Sequence, residues 1–281
     1  MGIPAAPRHI KIINVGEAIL TRAQVIWCHA AFLLFLPSLV FAGSFRVVPI
    51  KLYLDARSKT EVLKILNEGD KKVTVQLNAK GWSQDETGKD VYEEKKDIVF
   101  FPKITDIEKG EERIVRVGYQ GKTAASVEKT YRLFLAELPV VKPGELALKF
   151  ALRLSIPIFV KPQKEIKEWA IDGLKLSEKT LTVKVKNSGN THISVSKITA
   201  MGFDDSGKEV FSREIAGWYA LAGGSKPFAV GVSREECMGV KTIKVTVEVK
   251  KTTKESTLDV DKNMCTPKKE DSKDVKRGIE K

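Results

Sequence analysis

From Ser44 onward, short β-branched runs recur at spacings of about 8–15 residues with turn chemistry between them, a pattern that implies antiparallel β-sandwiches. Val62–Leu66 and Val73–Leu77 are two such runs, parted by the turn Asn67-Glu68-Gly69-Asp70. Asp85-Glu86-Thr87-Gly88 reads as a second turn, and Glu108-Lys109-Gly110-Glu111 as a third, ahead of the run Arg113–Val117. Tyr131–Leu138 and Leu146–Val160 complete a first set of strands. A second set comprises Thr180–Val185, His192–Ile198, Lys208–Ile215, Phe228–Val232 and Thr242–Val249, with turns at Asn187-Ser188-Gly189-Asn190 and Asp204-Asp205-Ser206-Gly207. No long amphipathic helical stretch competes. The expectation is an all-β chain of two tandem sandwiches, over residues 43–162 and 163–265, joined at Lys161-Pro162-Gln163-Lys164. Each half is long enough to bury a core of its own. The stiff linker between them predicts a fixed elbow (boomerang) arrangement with a cleft. Residues 266–281 carry almost no apolar side chain and read as a disordered tail.

Residues 1–42 stand apart from this pattern. Arg8, Lys11 and Arg22 make a positive front end, an apolar run spans Ala23–Ala42, and Val40-x-Ala42 fits a signal-peptidase cleft. The run approaches the roughly 20 residues of a membrane-spanning helix, so an anchor is the alternative. Pro37 and the small residues after it favour cleavage. Cys28 has no lipoprotein-like context, and the long polar lead leaves the true start open. Either way the chain is read as exported.

Export shapes the reading of the remaining chemistry. His9 and His29 fall within the leader, which leaves His192 as the single histidine of the mature chain. No Ser-His-Asp set, Cys-His pair or histidine zinc cluster is easily built, and no glycine-rich phosphate loop is present. An enzyme is therefore disfavoured, and no cofactor or metal is expected. Plentiful Asp and Glu offer paired carboxylates, but no spacing singles a pair out. The formal net charge is +12, with acids and bases mixed along the chain and no basic stripe interleaved with aromatics, so nucleic acid is a poor fit as a partner. Cys237 and Cys265 survive cleavage; in an oxidising compartment they predict one disulfide pinning the last strand, the alternative being two free thiols.

One run differs from the rest. Leu148, Phe150, Leu152, Leu154, Ile156 and Ile158 set large apolar groups at every second position, over more than the usual five or six residues of a strand. Pro157 donates nothing to a ladder and points to an edge or a bulge. A long apolar edge strand invites aggregation unless a partner covers it. Alternation alone favours the other reading, a central core strand.

The order and spacing of several short pieces resemble the PapD-like periplasmic pilus chaperones over nearly the whole chain after the leader. The pieces are Phe45–Leu54, Leu66–Gly69, Phe100-Phe101-Pro102, Ile107–Gly110 with Ile114–Val117, and Tyr131–Pro139; Leu146–Pro162 is similar to the family's seventh strand, and Val185–His192 to its Asn-x-Gly-Asn turn. The ending Pro157-Ile-Phe-Val-Lys-Pro162 resembles most the archaic, or alternative, chaperone–usher branch. The resemblance implies two immunoglobulin-like domains and a role in holding pilus (fimbrial) subunits. Such subunits lack their last strand, and the chaperone lends its own, pairing backbone to backbone (donor-strand complementation).

Carried over by position, the lent side chains are Leu148, Phe150, Leu152 and Leu154. The resemblance also implies a basic pair that anchors the subunit's C-terminal carboxylate. Lys51 aligns with its first member, the alternative being an ordinary exposed lysine. The second aligns with Pro157, a departure for which Arg153 or Arg116 are the substitutes and nothing selects between them. An interdomain ion pair of the family maps to Glu128 and Lys161. Implied partners are pilin subunits and an outer-membrane usher, with self-association when empty, all in the periplasm. The competing reading is a secreted immunoglobulin-like adhesion or structural pilus subunit.

Overall fold

The computed structural model describes residues 45–122, 125–138 and 151–266. Its first half contains β1 (Phe45–Val48), β2 (Leu52–Leu54), β3 (Thr60–Asn67), β4 (Val73–Gln84), β5 (Asp90–Glu93), β6 (Ile98–Phe101), β7 (Ile104–Ile107), β8 (Glu112–Tyr119), β9 (Lys129–Glu137) and β10 (Arg153–Val160). These strands make two facing sheets, β1-β3-β8-β6 and β2-β10-β9-β4-β5, with β7 also on β4. Alternate residues point inward, so Leu63, Ile65, Val75, Val115, Val117, Leu133, Leu135 and Ile158 form the sealed centre of the first core. Burial at about 25 cal/mol per Å² of apolar area is what drives the two sheets together.

The second half contains β11 (Trp169–Ser177), β12 (Thr180–Asn187), β13 (Ile193–Phe203), β14 (Glu209–Ala216), β15 (Tyr219–Ala220), β16 (Ser225–Gly231), the short helix α1 (Arg234–Gly239), β17 (Thr242–Val249) and β18 (Thr252–Asp259). Sheets β11-β12-β16 and β14-β13-β17-β18 enclose a separate core centred on Leu181, Val183, Ile198, Ile243, Val245 and Val247. The all-β fold of two sandwiches is thus the one expected. Several of its strands, β11 and β18 among them, escaped the sequence reading. β18 (TTKESTLD) has no apolar run, because it lies at a sheet edge with one face in solvent, and β11 is broken by a bulge between Ile171 and Gly173.

The same side-chain device closes a corner in each sandwich. Buried Asn67 donates to the carbonyls of Lys71 and Ile107 and accepts from Gly69 N–H. Buried Asn187 donates to the carbonyls of Thr191, Ala220 and Leu221 and accepts from Gly189 N–H. Each amide replaces water for backbone groups that no ladder reaches.

Helix α1 opens on a capping box between Ser233 and Glu236 and carries Cys237, which is bonded to Cys265 just after β18. The bridge spans 28 residues. Reduction is expected to lower stability by about 3.5 kcal/mol, the loop-closure entropy of a ring this size. Urea unfolding with and without reductant checks this; coincident curves would mean that the local packing already holds the strand.

Candidate functional site: the cleft edge of strand β10

The outer face of the β2-β10-β9-β4-β5 sheet meets the second sandwich. Phe159 of β10, fully buried, anchors a small apolar cluster with Trp82, Tyr219 and Leu221 that is separate from both cores. His192 stacks on Phe159 with ring centroids 3.6 Å apart, and Tyr53 lies 5.5 Å from Phe159 and 6.4 Å from His192. Polar contacts frame the joint. Gln84 donates to the Tyr219 carbonyl and accepts from Leu221 N–H, Trp218 Nε1 donates to Asp90 Oδ2, and Lys226 donates to the Gly88 carbonyl. Gly88 has φ +77°, and a Cβ there would meet Pro227 Cδ at 2.6 Å, so both conformation and contact require glycine.

The expected pairing of Glu128 with Lys161 is not formed. Glu128 Oε2 instead accepts from His192 N–H and contacts His192 Nδ1, each at 2.7 Å, with both side chains nearly sealed. Lys161 lies over the Tyr53 ring and faces Glu165 at 3.8 Å. The physical reason is local. A sealed carboxylate is best met by donors already fixed beside it, which the His192 backbone and ring supply, whereas Lys161 keeps its ammonium partly in water.

β10 has two unlike edges. Along Arg153–Val160 it pairs antiparallel with β9. On its other side β2 joins it, parallel, over Ile158–Val160 only. Among the described residues, Arg153–Pro157 therefore have a strand on one side alone. Glu137 N–H donates to the Leu152 carbonyl, which makes residues 152, 154 and 156 the ones bonded to β9. The backbone groups of Arg153 and Ser155 consequently point to the open side, and Pro157 contributes no N–H there. Leu152 and Leu154 are partly buried against the first core, on the same face as Ile156 and Ile158. Leu148 and Phe150 lie outside the described residues.

Where the open edge ends, two cations gather. Lys51, half-buried, precedes the Leu52–Ile158 pair and so lies level with Pro157; its Nζ is 5.3 Å from the centre of the Tyr219 ring. Arg132 is directly across from Pro157 on β9, and its guanidinium carbon is 5.6 Å from the same ring. It also lies 3.8 Å from the Trp82 ring centre and 5.3 Å from that of Trp218. Arg132 is 3% exposed, yet among the described residues its Nε and Nη2, like Trp82 Nε1, have no hydrogen-bond partner. Burial pushes the guanidinium below its ordinary pKa, opposed by Tyr92, Asp90 and Tyr219. A buried cation clamped between indoles with vacant donors is poised for an anion.

Arg153 does not join this pair. It lies four residues before Pro157, about 13 Å along the strand, with its guanidinium on the Phe134 ring at 5.1 Å. Arg116 is exposed on β8, in the opposite sheet of the sandwich. The sequence signal for Arg132 was a lone arginine inside the apolar run Tyr131–Leu135.

Residues 44–165 match the family model for the pili and flagellar-assembly chaperone, PapD N-terminal domain. A search of curated proteins finds no match. Among solved structures, a chain of the CsuC–CsuE chaperone–tip adhesion subunit pre-assembly complex from the archaic chaperone–usher Csu pili of Acinetobacter baumannii is similar at 22% identity. The match covers 76% of this chain and 98% of that one, with a TM-score of 0.53. The Pseudomonas aeruginosa CupB2 chaperone is similar at 15% identity, with 76% and 99% covered and a TM-score of 0.47. A chain of the Salmonella enterica SafA pilin–SafB chaperone complex is similar at 14%, with 76% and 96% covered and a TM-score of 0.48. The first sandwich, matched almost end to end, is thus a domain of the PapD N-terminal chaperone type, and the two-sandwich fold is similar to that of the chain from the archaic Csu complex.

Proposed function

We propose that this protein captures pilus subunits in the periplasm by lending them β10 as a missing strand, and hands them to an outer-membrane usher. The observation that carries the reading is the open edge of β10, ending at Pro157 beside Lys51 and the unpartnered, buried Arg132. A client strand running parallel to β10 pairs with the backbone of Arg153 and Ser155 and loses its ladder at Pro157. Its C-terminal carboxylate then arrives at Lys51 and Arg132. A charge-assisted hydrogen bond in so dry a place contributes about 1.5–3 kcal/mol and fixes the register of the lent strand. Leu152 and Leu154, with Leu148 and Phe150 of the same sequence alternation, supply the side chains that fill the client's groove. The joint built by Phe159, Glu128 and His192 holds the second sandwich against this site, with Tyr219 as the ring under both cations.

The test is a pull-down from periplasmic extract with the tagged chain, comparing wild type with Lys51→Glu, Leu152→Glu and Ser155→Pro. Small immunoglobulin-like subunits identified by mass spectrometry are expected with wild type and lost with each variant. Ser155 is exposed, so proline there removes an outward N–H while the β9 ladder stays intact. Undiminished capture by Ser155→Pro and Leu152→Glu would exclude the lent strand; capture that survives Lys51→Glu alone would move the anchor to Arg132.

A further inference from the structure

Next to the open edge of β10 the cleft face carries a depression of about 450 Å³, lined by Lys80, Tyr92, Phe134, Arg153, Leu154 and Ser155. Its origin is a size mismatch between neighbours. Ser155 is directly across from Phe134 on β9, so the ring stands beside a residue too small to cover it. Tyr92 meets Phe134 edge-on at 5.3 Å and forms a second aromatic wall. Arg153 lays its guanidinium on Phe134 and has no carboxylate partner among the described residues, whereas Lys80 is paired with Glu94 at 2.8 Å. Three of the six lining residues belong to the stretch of β10 that has one side free, so a strand added there passes over the mouth.

We propose that this depression is a specificity pocket for one aromatic side chain of the captured strand, held between the Phe134–Tyr92 walls and the Arg153 guanidinium. The inference rests on the strand-lending reading and deepens it by naming the side chain selected. Residues paired across adjacent strands project to the same face. With the client's last residue level with Pro157, its third-from-last residue is level with Ser155 and faces the pocket. The second-from-last faces the other way. An aromatic ring satisfies the apolar walls and offers a π-face to Arg153, while an aspartate gains the cation but forfeits the walls.

The probes are ten-residue peptides of alternating threonine and valine with an N-terminal fluorophore and a free C-terminal carboxylate, their affinity for the full chain read by anisotropy. Phenylalanine third from the end is expected to bind about tenfold tighter than alanine there, and phenylalanine second from the end to give no gain. The gain is expected to vanish in Ser155→Trp, which fills the depression, and to shrink in Phe134→Ser, which removes one of its aromatic walls. Peptides that bind equally whatever stands third from the end, yet weaken on Lys51→Glu, overturn the pocket and leave the lent strand standing. A preference for aspartate makes the site an anion subsite of Arg153 and overturns the aromatic assignment. No binding by any peptide, under conditions where the chain still captures subunits, overturns the pocket as a determinant readable from a terminal strand.

Discussion

Replacing Arg132 by methionine is expected to cut subunit capture by about two orders of magnitude while leaving the fold as stable as wild type or more so. The two halves of that result have one cause. Arg132 is buried, and among the described residues it has no carboxylate partner and its Nε and Nη2 bond nothing. A lone buried cation costs stability, and an apolar side chain of similar length between Trp82 and Trp218 relieves that cost. The same vacancy is what a client carboxylate would fill, so removing the charge removes the attraction. Urea unfolding and a quantitative pull-down on the same preparation check both. If Arg132→Met unfolds several kcal/mol more easily and still captures subunits, the guanidinium serves as a clamp for the indoles, and the anchor falls to Lys51.

Truncation of Phe159 to alanine is expected to cost about 3–5 kcal/mol, the range for deleting a buried aromatic ring. The side chain is fully buried and touches His192, Trp82, Tyr53 and Tyr219, rings drawn from both sandwiches. The loss falls on the joint more than on either core, because the cluster around Phe159 is separate from both. Differential scanning calorimetry reads this as a lower Tm, with the single transition of wild type splitting in two. A drop below about 1 kcal/mol, with one transition retained, would show that the polar contacts of Gln84, Asp90 and Lys226 suffice.

The strands were legible where one face of a sheet is buried, since period-two alternation is then written directly into the residues, as in Val73–Leu77 and Thr242–Val249. Edge strands such as β18 have little to bury and left no such trace. Strand β10 was visible as part of a long apolar alternation from Leu148 to Ile158, with Pro157 among its intervening positions. The described part of that alternation divides into core positions at Ile156 and Ile158 and partly covered ones at Leu152 and Leu154. The second cation was not legible, because Arg132 belongs to the site only through its register with Pro157 on a neighbouring strand, and register is a long-range property. The same holds for Glu128. Its partner His192 is 64 residues away, and nothing in a linear reading ranks it above Lys161.

The paired asparagines bear on the order in which the molecule comes together. Asn67 reaches partners up to 40 residues away and Asn187 up to 34, and every one of them lies within its own sandwich. The polar contacts that frame the joint at Gln84 and Gly88 span much longer stretches of chain, 135 residues from Gln84 to Tyr219 and 138 from Gly88 to Lys226. Loop-closure entropy makes the shorter circuits the easier ones to complete. Each half can therefore finish its own corner while the other is still a coil, and the docking of the two becomes the late step. Phe159, Arg132 and Lys51 then acquire their common neighbour, Tyr219, only at the end: the strand can form early, but the place proposed to receive a client's chain terminus exists only once both halves are folded.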